Sequence, residues 1–172
     1  MAETRWTQIS ADDYEDVRRL KARYFRYIYL KRWSDLRTLF SVDTEILGFS
    51  FSPADPDTFV EAVSAYMSGM VSIHQAFMPQ LERQSDDSIR GIWSMFDQLT
   101  WEPDSREYQG FDVPGMWEIR GYGHYEEEYV RTAEGWRISF FQTLSAPSRA
   151  AHWSRYPIPA FSLTPATEGW LD

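Results

Sequence analysis

The chain reads as one α+β domain, with helices at the front and a curved meander of strands packed against them. Three observations carry that expectation. Apolar residues recur at helical spacing over Val17, Leu20, Tyr24, Tyr27 and Ile28. From residue 72 the period changes to two. The later runs are joined by short turn signals, as an antiparallel meander requires. At 172 residues the chain is long enough to bury a core without disulfides or metal.

Ser10, followed by Asp12 and Asp13, opens the first helix with a hydroxyl cap and acids at the positive end of the dipole. Ser34 starts a second, short helix, "SDLRTLF", and a strand "EILGFSF" follows. Asp55 as cap, Pro56 in the first turn and Gly69 past the end bound a third helix. "SIHQAFMPQLERQ" is expected as a strand whose Pro79 marks a bulge or a sheet edge. A turn at Ser85, Asp86 and Asp87 leads into "SIRGIWSMFDQLTWEP", and a loop runs from Asp104 to about Pro114. "WEIRGYGHYEEEYVRT" and "WRISFFQTLSA" are joined by the hairpin signal Ala133-Glu134-Gly135. The proline-bearing tail is expected as a surface arm, dividing the chain into a domain over 1–147 and an arm over 148–172. A sheet curved around helices makes a cone closed at one end, its pocket lined by one face of each strand.

Composition narrows the function classes. A net charge of −9 argues against nucleic acid, for which a basic stripe is the expected footprint. The basic residues of the first helix, Lys21 among them, read as its solvated face, and Glu126 to Glu128 as an exposed face or an oligomer interface. No stretch approaches the length of a membrane span, and the N-terminus has no signal-peptide core, so a cytoplasmic protein is expected. There is no cysteine, and His74, His124 and His152 show no metal-ligand spacing. Neither a glycine-rich phosphate loop nor a serine-nucleophile motif occurs. The aromatic content, 17%, suits either a large core or the walls of a pocket for a flat apolar ligand.

Strict alternation in "GIWSMFDQLTW" puts Asp97 on the face of Trp93, Met95, Leu99 and Trp101, where a carboxylate is costly unless paired or neutralised. His74 shares a face with Ala76 and Met78 on the preceding strand. If the hairpin pairs Gln84 with Ile89, His74 and Asp97 become diagonal neighbours on one face; pairing Gln84 with Ser88 separates them. A histidine beside a buried carboxylate is either a general-base arrangement or a satisfied core histidine. Tyr24 lies on the apolar stripe of the first helix, where its hydroxyl can serve as donor or simply pack. Tyr29, five residues on, leaves that narrow stripe. Arg137 either clamps an anionic group inside the pocket or is solvated on the convex face.

The order of these elements, with the strings "YFRYIYLKRWSDLRTLF", "SIHQAFMPQLE", "GIWSMFDQLTW" and "GYGHYEEEYVRTAEGWRIS", resembles the SnoaL-like branch of the nuclear transport factor 2-like superfamily over roughly residues 10 to 147. The resemblance implies a cystatin-like α+β barrel, a cone-shaped, curved, mixed or antiparallel sheet with N-terminal helices over its concave face. It implies a deep apolar pocket and no required cofactor. In site layout the chain is most similar to dehydratases of the bile acid 7α- and scytalone types. Carried over by position, the catalytic residues fall on Tyr24, His74, Asp97 and Arg137. The helix acid that supports the histidine in such enzymes is replaced by Tyr29. The implied activity is a cofactor-independent dehydratase acting by proton transfer on a hydrophobic, polycyclic or aromatic hydroxylated small molecule. His74 would be the base, and Asp97 would orient it or protonate the leaving hydroxyl. Tyr24 and Tyr29 would donate to developing negative charge, and Arg137 would hold a polar end. Trp93, Met95, Met78 and Trp101 would line the pocket with Tyr29. An isomerase, a cyclase or a non-catalytic binding or assembly module uses the same parts. A homodimer or trimer through the convex sheet face is also implied.

Overall fold

The computed structural model describes residues 8–49, 51–103, 107–108, 111–112, 115–145 and 149–152. Helix α1 (Ala11–Tyr29) opens where expected: Ser10 Oγ accepts the Asp13 backbone N–H at 3.1 Å. Its inward stripe holds Val17, Leu20, Tyr24 and Ile28, together with Lys21. Helix α2 (Trp33–Arg37) is one turn long, and β1 (Phe40–Leu47) starts at Phe40 rather than at Glu45. Helix α3 (Pro56–Tyr66) begins with a capping box between Asp55 and Thr58 and ends before Gly69, whose φ of 71° uses the left-handed region.

Four long strands follow the helices: β2 (Val71–Ser85), β3 (Ser88–Thr100), β6 (Met116–Thr132) and β7 (Gly135–Ser145). Between β3 and β6 the expected loop contains a small ladder of β4 (Glu107–Tyr108) and β5 (Phe111–Asp112). The main sheet runs β1-β7-β6-β3-β2. It is mixed, because β1 lies parallel to β7 while the other neighbours are antiparallel. The first residues of the tail form β8 (Arg149–His152), which pairs with β6, so the arm begins as part of the sheet. Its remaining residues, 153–172, lie outside the described part.

The core sits between the helices and the concave face. Phe141 is its centre, with ring centroids of Tyr24, Tyr125, Phe49, Phe59 and Phe40 at 5.3 to 6.0 Å. Much of the aromatic content is therefore core rather than pocket wall. Two sequence expectations are corrected here. Lys21 is not on the solvated face of α1: it is 1% exposed and pairs with Glu127. Glu126 and Glu127 are likewise fully buried rather than on an exposed face. Lys21 falls between Leu20 and Tyr24 on the stripe that packs down, and Glu127 alternates with Tyr125 and Tyr129 on the face that receives it.

Candidate functional site

The β2–β3 hairpin closes with Ser85 opposite Ser88, the register in which His74 and Asp97 share a face. Two irregularities, between Arg83 and Ser85 and between Phe77 and Gln80, then slip the pairing. Together they bring His74 directly opposite Asp97 instead of diagonal to it. The second slip spans Pro79, which cannot donate to a ladder, on a strand that is the edge of the sheet. Asp97 in turn faces Gly121 on β6, giving a row of His74, Asp97 and Gly121 across three strands. A Cβ at Gly121 would overlap Asp97 Oδ1, so the carboxyl occupies the space that a side chain would fill.

Both chemical groups of this row are short of partners. His74 Nδ1 and Asp97 Oδ1 are buried atoms with no hydrogen-bond partner among the described residues, and the two side chains are not bonded to each other. Burial pushes the His74 imidazole down to about 4, helped by the charges of Lys31 and Lys21. Burial pushes the Asp97 carboxyl up to about 6, against the backbone N–H groups of Gly121 and of Asp97 itself. Near neutral pH the histidine is thus an unprotonated base, and the acid holds its proton far more readily than a solvated aspartate. Trp101 Nε1 and Thr143 Oγ1 are buried and, among the described residues, without partners as well.

Tyr24 is buried beneath α1, its hydroxyl pushed well above its ordinary value by burial, then by Glu127 and Asp97. Trp93 and Met95 share the face of Asp97 and are buried. Trp93 also floors a cavity of about 280 Å³ on the flank of α1, together with Ala76, Lys21 and Phe25. His74, Asp97, Tyr24, Trp93, Met95 and Trp101 are therefore gathered on the helix-facing side. Three other candidates are not. Met78 sits inside the bulge with a φ of 38° and is 89% exposed, because the slip ends its alternation with His74 and Ala76. Tyr29, at the last turn of α1, is 56% exposed. Arg137 pairs with Val130 on the opposite face from Tyr129, and Glu134 of the adjoining turn accepts its guanidinium at 3.0 Å. It lines a surface groove with Arg19, Arg23 and Arg26, away from His74 and Asp97.

Sequence reasoning missed a buried polar chain next to the row. Lys21 Nζ donates to Glu127, Tyr129 Oη donates to the other oxygen of that carboxylate, and Trp93 Nε1 donates to Tyr129 Oη at 2.8 Å. The ammonium lies over the Tyr125 ring, 3.6 Å from its centroid, and 4.5 Å from that of Tyr24. The available signal was a lysine inside an apolar stripe facing a glutamate between two tyrosines. Lys31 was missed too: its Nζ donates to Ser72 Oγ at 3.0 Å, two positions from His74 on β2.

A curved mixed sheet under N-terminal helices, with an acid, a histidine and tyrosines facing those helices, is the α+β cone of the nuclear transport factor 2-like superfamily. Within it, the chain belongs to the SnoaL-like domain family, whose model matches residues 10–142. Solved structures with the same fold include a putative scytalone dehydratase from Novosphingobium aromaticivorans, at 12% identity and a TM-score of 0.69 over 91% of this chain and 96% of that one. The Kfla4162 protein from Kribbella flavida shares 20% identity, with a TM-score of 0.66 over 80% of this chain and 93% of that one. The hexachlorocyclohexane dehydrochlorinase LinA-type3 from Novosphingobium barchaimii LL02 shares 16%, with a TM-score of 0.67 over 87% of this chain and all of the other. At these identities the likeness is one of fold.

Proposed function

We propose that the protein is a cofactor-independent lyase, a dehydratase that transfers protons on a hydrophobic, polycyclic or aromatic hydroxylated small molecule. The observation that carries this reading is the row of His74 opposite Asp97, with an unpartnered nitrogen and an unpartnered oxygen on the helix-facing side. Neutral His74 takes a proton from a carbon next to an activating group. The electron pair released forms the new C=C bond as the C–O bond to the β-hydroxyl breaks. Protonated Asp97 gives its proton to the departing oxygen, and water leaves. The imidazolium and carboxylate then face each other across adjacent strands, and return of one proton from His74 to Asp97 resets the site. In this reading Tyr24 donates a hydrogen bond to oxygen during the step.

Membership of the SnoaL-like family supports this class. So do the names of two similar structures, a dehydratase and a dehydrochlorinase, which both denote eliminations. The test is turnover of aromatic and polycyclic β-hydroxy compounds, followed as absorbance of the conjugated product. His74→Gln and Asp97→Asn are each expected to lower kcat by about 10²–10⁴-fold while KM changes little. Full activity in either variant overturns the assignment of that residue.

Exposed Tyr29, standing where the resembling dehydratases carry an acid, favours a second reading, a binding module of the same fold. Ligand binding without turnover of any hydroxylated compound would select it. An isomerase or cyclase would consume the same compounds without releasing water.

A further inference from the structure

The basic residues on the outer side of α1 are not all alike. Arg18 and Arg19 donate to Glu15, one turn earlier, at 3.4 and 3.1 Å. Arg23 instead has Arg19 four residues before it, and Arg26 has Arg23 three before it, so like charge stands where an acid would stabilise the helix. Both are exposed, and neither has an acceptor among the described residues. Each of the other arginines whose side chain the structure describes pairs with a carboxylate. In a chain with 26 acids against 17 lysines and arginines, acids to pair with these two are not scarce. The negative end of the helix dipole accounts for a cation at Arg26, in the last turn, but its influence does not reach back to Arg23.

The two unpaired arginines share one place in the fold. With Arg19 they line a groove of about 610 Å³, which Arg137 enters from β7 and to which Tyr27 and Leu39 add apolar lining. The volume is that of a small-molecule site. Four guanidinium groups meet two carboxylates there, those of Asp16 and Glu134. Arg19 is matched by its neighbouring acids on α1. Arg137 is held by Glu134, by its carboxylate at 3.0 Å and its carbonyl at 3.2 Å. The unmatched charge of the groove is therefore that of Arg23 and Arg26.

Each guanidinium presents five N–H donors in a fixed fork, a shape that fits the oxygens of a carboxylate or a phosphate. One carboxylate fills one fork. A phosphate monoester, with three terminal oxygens and a charge of about −1.5 to −2, serves two forks one helical turn apart. The net charge of −9 repels an extended polyanion such as nucleic acid, which leaves a small ligand. We propose that Arg23 and Arg26 bind the phosphate group of a phosphorylated small molecule whose organic part lies in the groove along Tyr27 and Leu39. This site is separate from the row of His74 and Asp97 and does not depend on the proton-transfer reading.

The experiment titrates 1-naphthyl phosphate, 1-naphthoate and inorganic phosphate into the whole protein by calorimetry, at low ionic strength and slightly alkaline pH. Wild type is expected to bind 1-naphthyl phosphate at least about tenfold more tightly than 1-naphthoate, the scale of a charge-assisted hydrogen bond to a second fork. It should also bind it more tightly than inorganic phosphate, because the ring leaves water for the groove. Arg23→Gln and Arg26→Gln are each expected to lose about tenfold. The double variant should lose the preference over 1-naphthoate while melting as wild type does, since both side chains are solvated. His74→Gln should bind 1-naphthyl phosphate as wild type does, as a phosphate in the groove requires. A wild type without the preference over 1-naphthoate, or a folded double variant that keeps it, overturns the proposal. So does equal affinity for inorganic phosphate, which makes the groove a general anion patch, and so does a loss in His74→Gln, which puts the ligand at the central row.

Discussion

His74 and Asp97 are displaced in opposite directions by the same burial, and the consequence is visible in stability as well as in chemistry. The imidazole titrates at about 4 in the folded chain against an ordinary 6.5. As pH falls through that interval the unfolded chain takes up a proton that the folded one refuses, so stability is lost. The Asp97 carboxyl titrates at about 6 against an ordinary 3.8. Over that interval the folded chain takes up the proton first, so stability is gained as pH falls. In wild type the two contributions oppose each other between about pH 6 and 4. His74→Gln removes the loss, and its urea midpoint relative to wild type should rise on acidification. Asp97→Asn removes the gain, and its midpoint relative to wild type should fall, each change on the order of 3 kcal/mol. Parallel pH profiles for the two variants would show that the groups are not buried as a pair. Asp97 was legible in the sequence as a lone acid among Trp93, Met95, Leu99 and Trp101. Its exact partner was not. The slip at Pro79 is a backbone event, invisible to alternation, and it decides both that His74 meets Asp97 and that Met78 turns outward.

At the scale of elements, α1 is fastened to the sheet by charge as well as by apolar packing. Burial pushes the Lys21 ammonium down to about 8, even with Glu127 holding it up. Both members of this pair are fully desolvated, with Tyr129 on the second carboxylate oxygen. Removing one member leaves an uncompensated charge, whereas removing both leaves a cost in packing alone. Lys21→Met should lower stability by roughly 3–5 kcal/mol, read from urea unfolding. Adding Glu127→Gln should restore part of it, because no buried charge is left unpaired and the amide oxygen still accepts from Tyr129. If the double variant is as unstable as the sum of the singles, the pair is not coupled in the fold. These elements were readable to different degrees. The caps of α1 and α3 announced themselves through Ser10, Asp55, Pro56 and Gly69, since capping is local chemistry. The start of β1 at Phe40 and the small β4–β5 ladder depend on partners distant in the chain, and composition carries no sign of them. Lys21 and Glu127 read as surface for the same reason: each looks solvated until the other is known to face it.

Over the whole molecule the net charge of −9 conceals how the acids are used, and Asp13 shows it best. It stands in the first turn of α1 and accepts hydrogen bonds from Arg83 of β2, Arg131 of β6 and Trp136 Nε1 of β7, the last at 3.1 Å. One carboxylate thereby joins the first helix to three strands of the sheet that runs beneath it. Burial alone would raise its pKa. The bonds from Arg131, Ser10, Trp136 and Arg83 outweigh burial and hold the carboxyl well below the usual carboxylate range. A group depressed in the folded state contributes stability above its unfolded value of 3.8, and that contribution is lost as pH falls through the folded one. Asp13→Asn should therefore cost roughly 2–3 kcal/mol near neutral pH, reduced from a fully buried case because Arg131 is partly solvated. The variant should also have a flatter acid limb than wild type below about pH 4. Thermal melts of both proteins from neutral pH downwards make the comparison. Since the Asp13 cluster ties α1 down at its first turn, and His74 and Asp97 belong to the other end of the same helix–sheet contact, the loss should appear in the melting temperature while turnover by the folded protein stays unchanged. A fall in both together would mean that the N-terminal clamp also holds the geometry of the site.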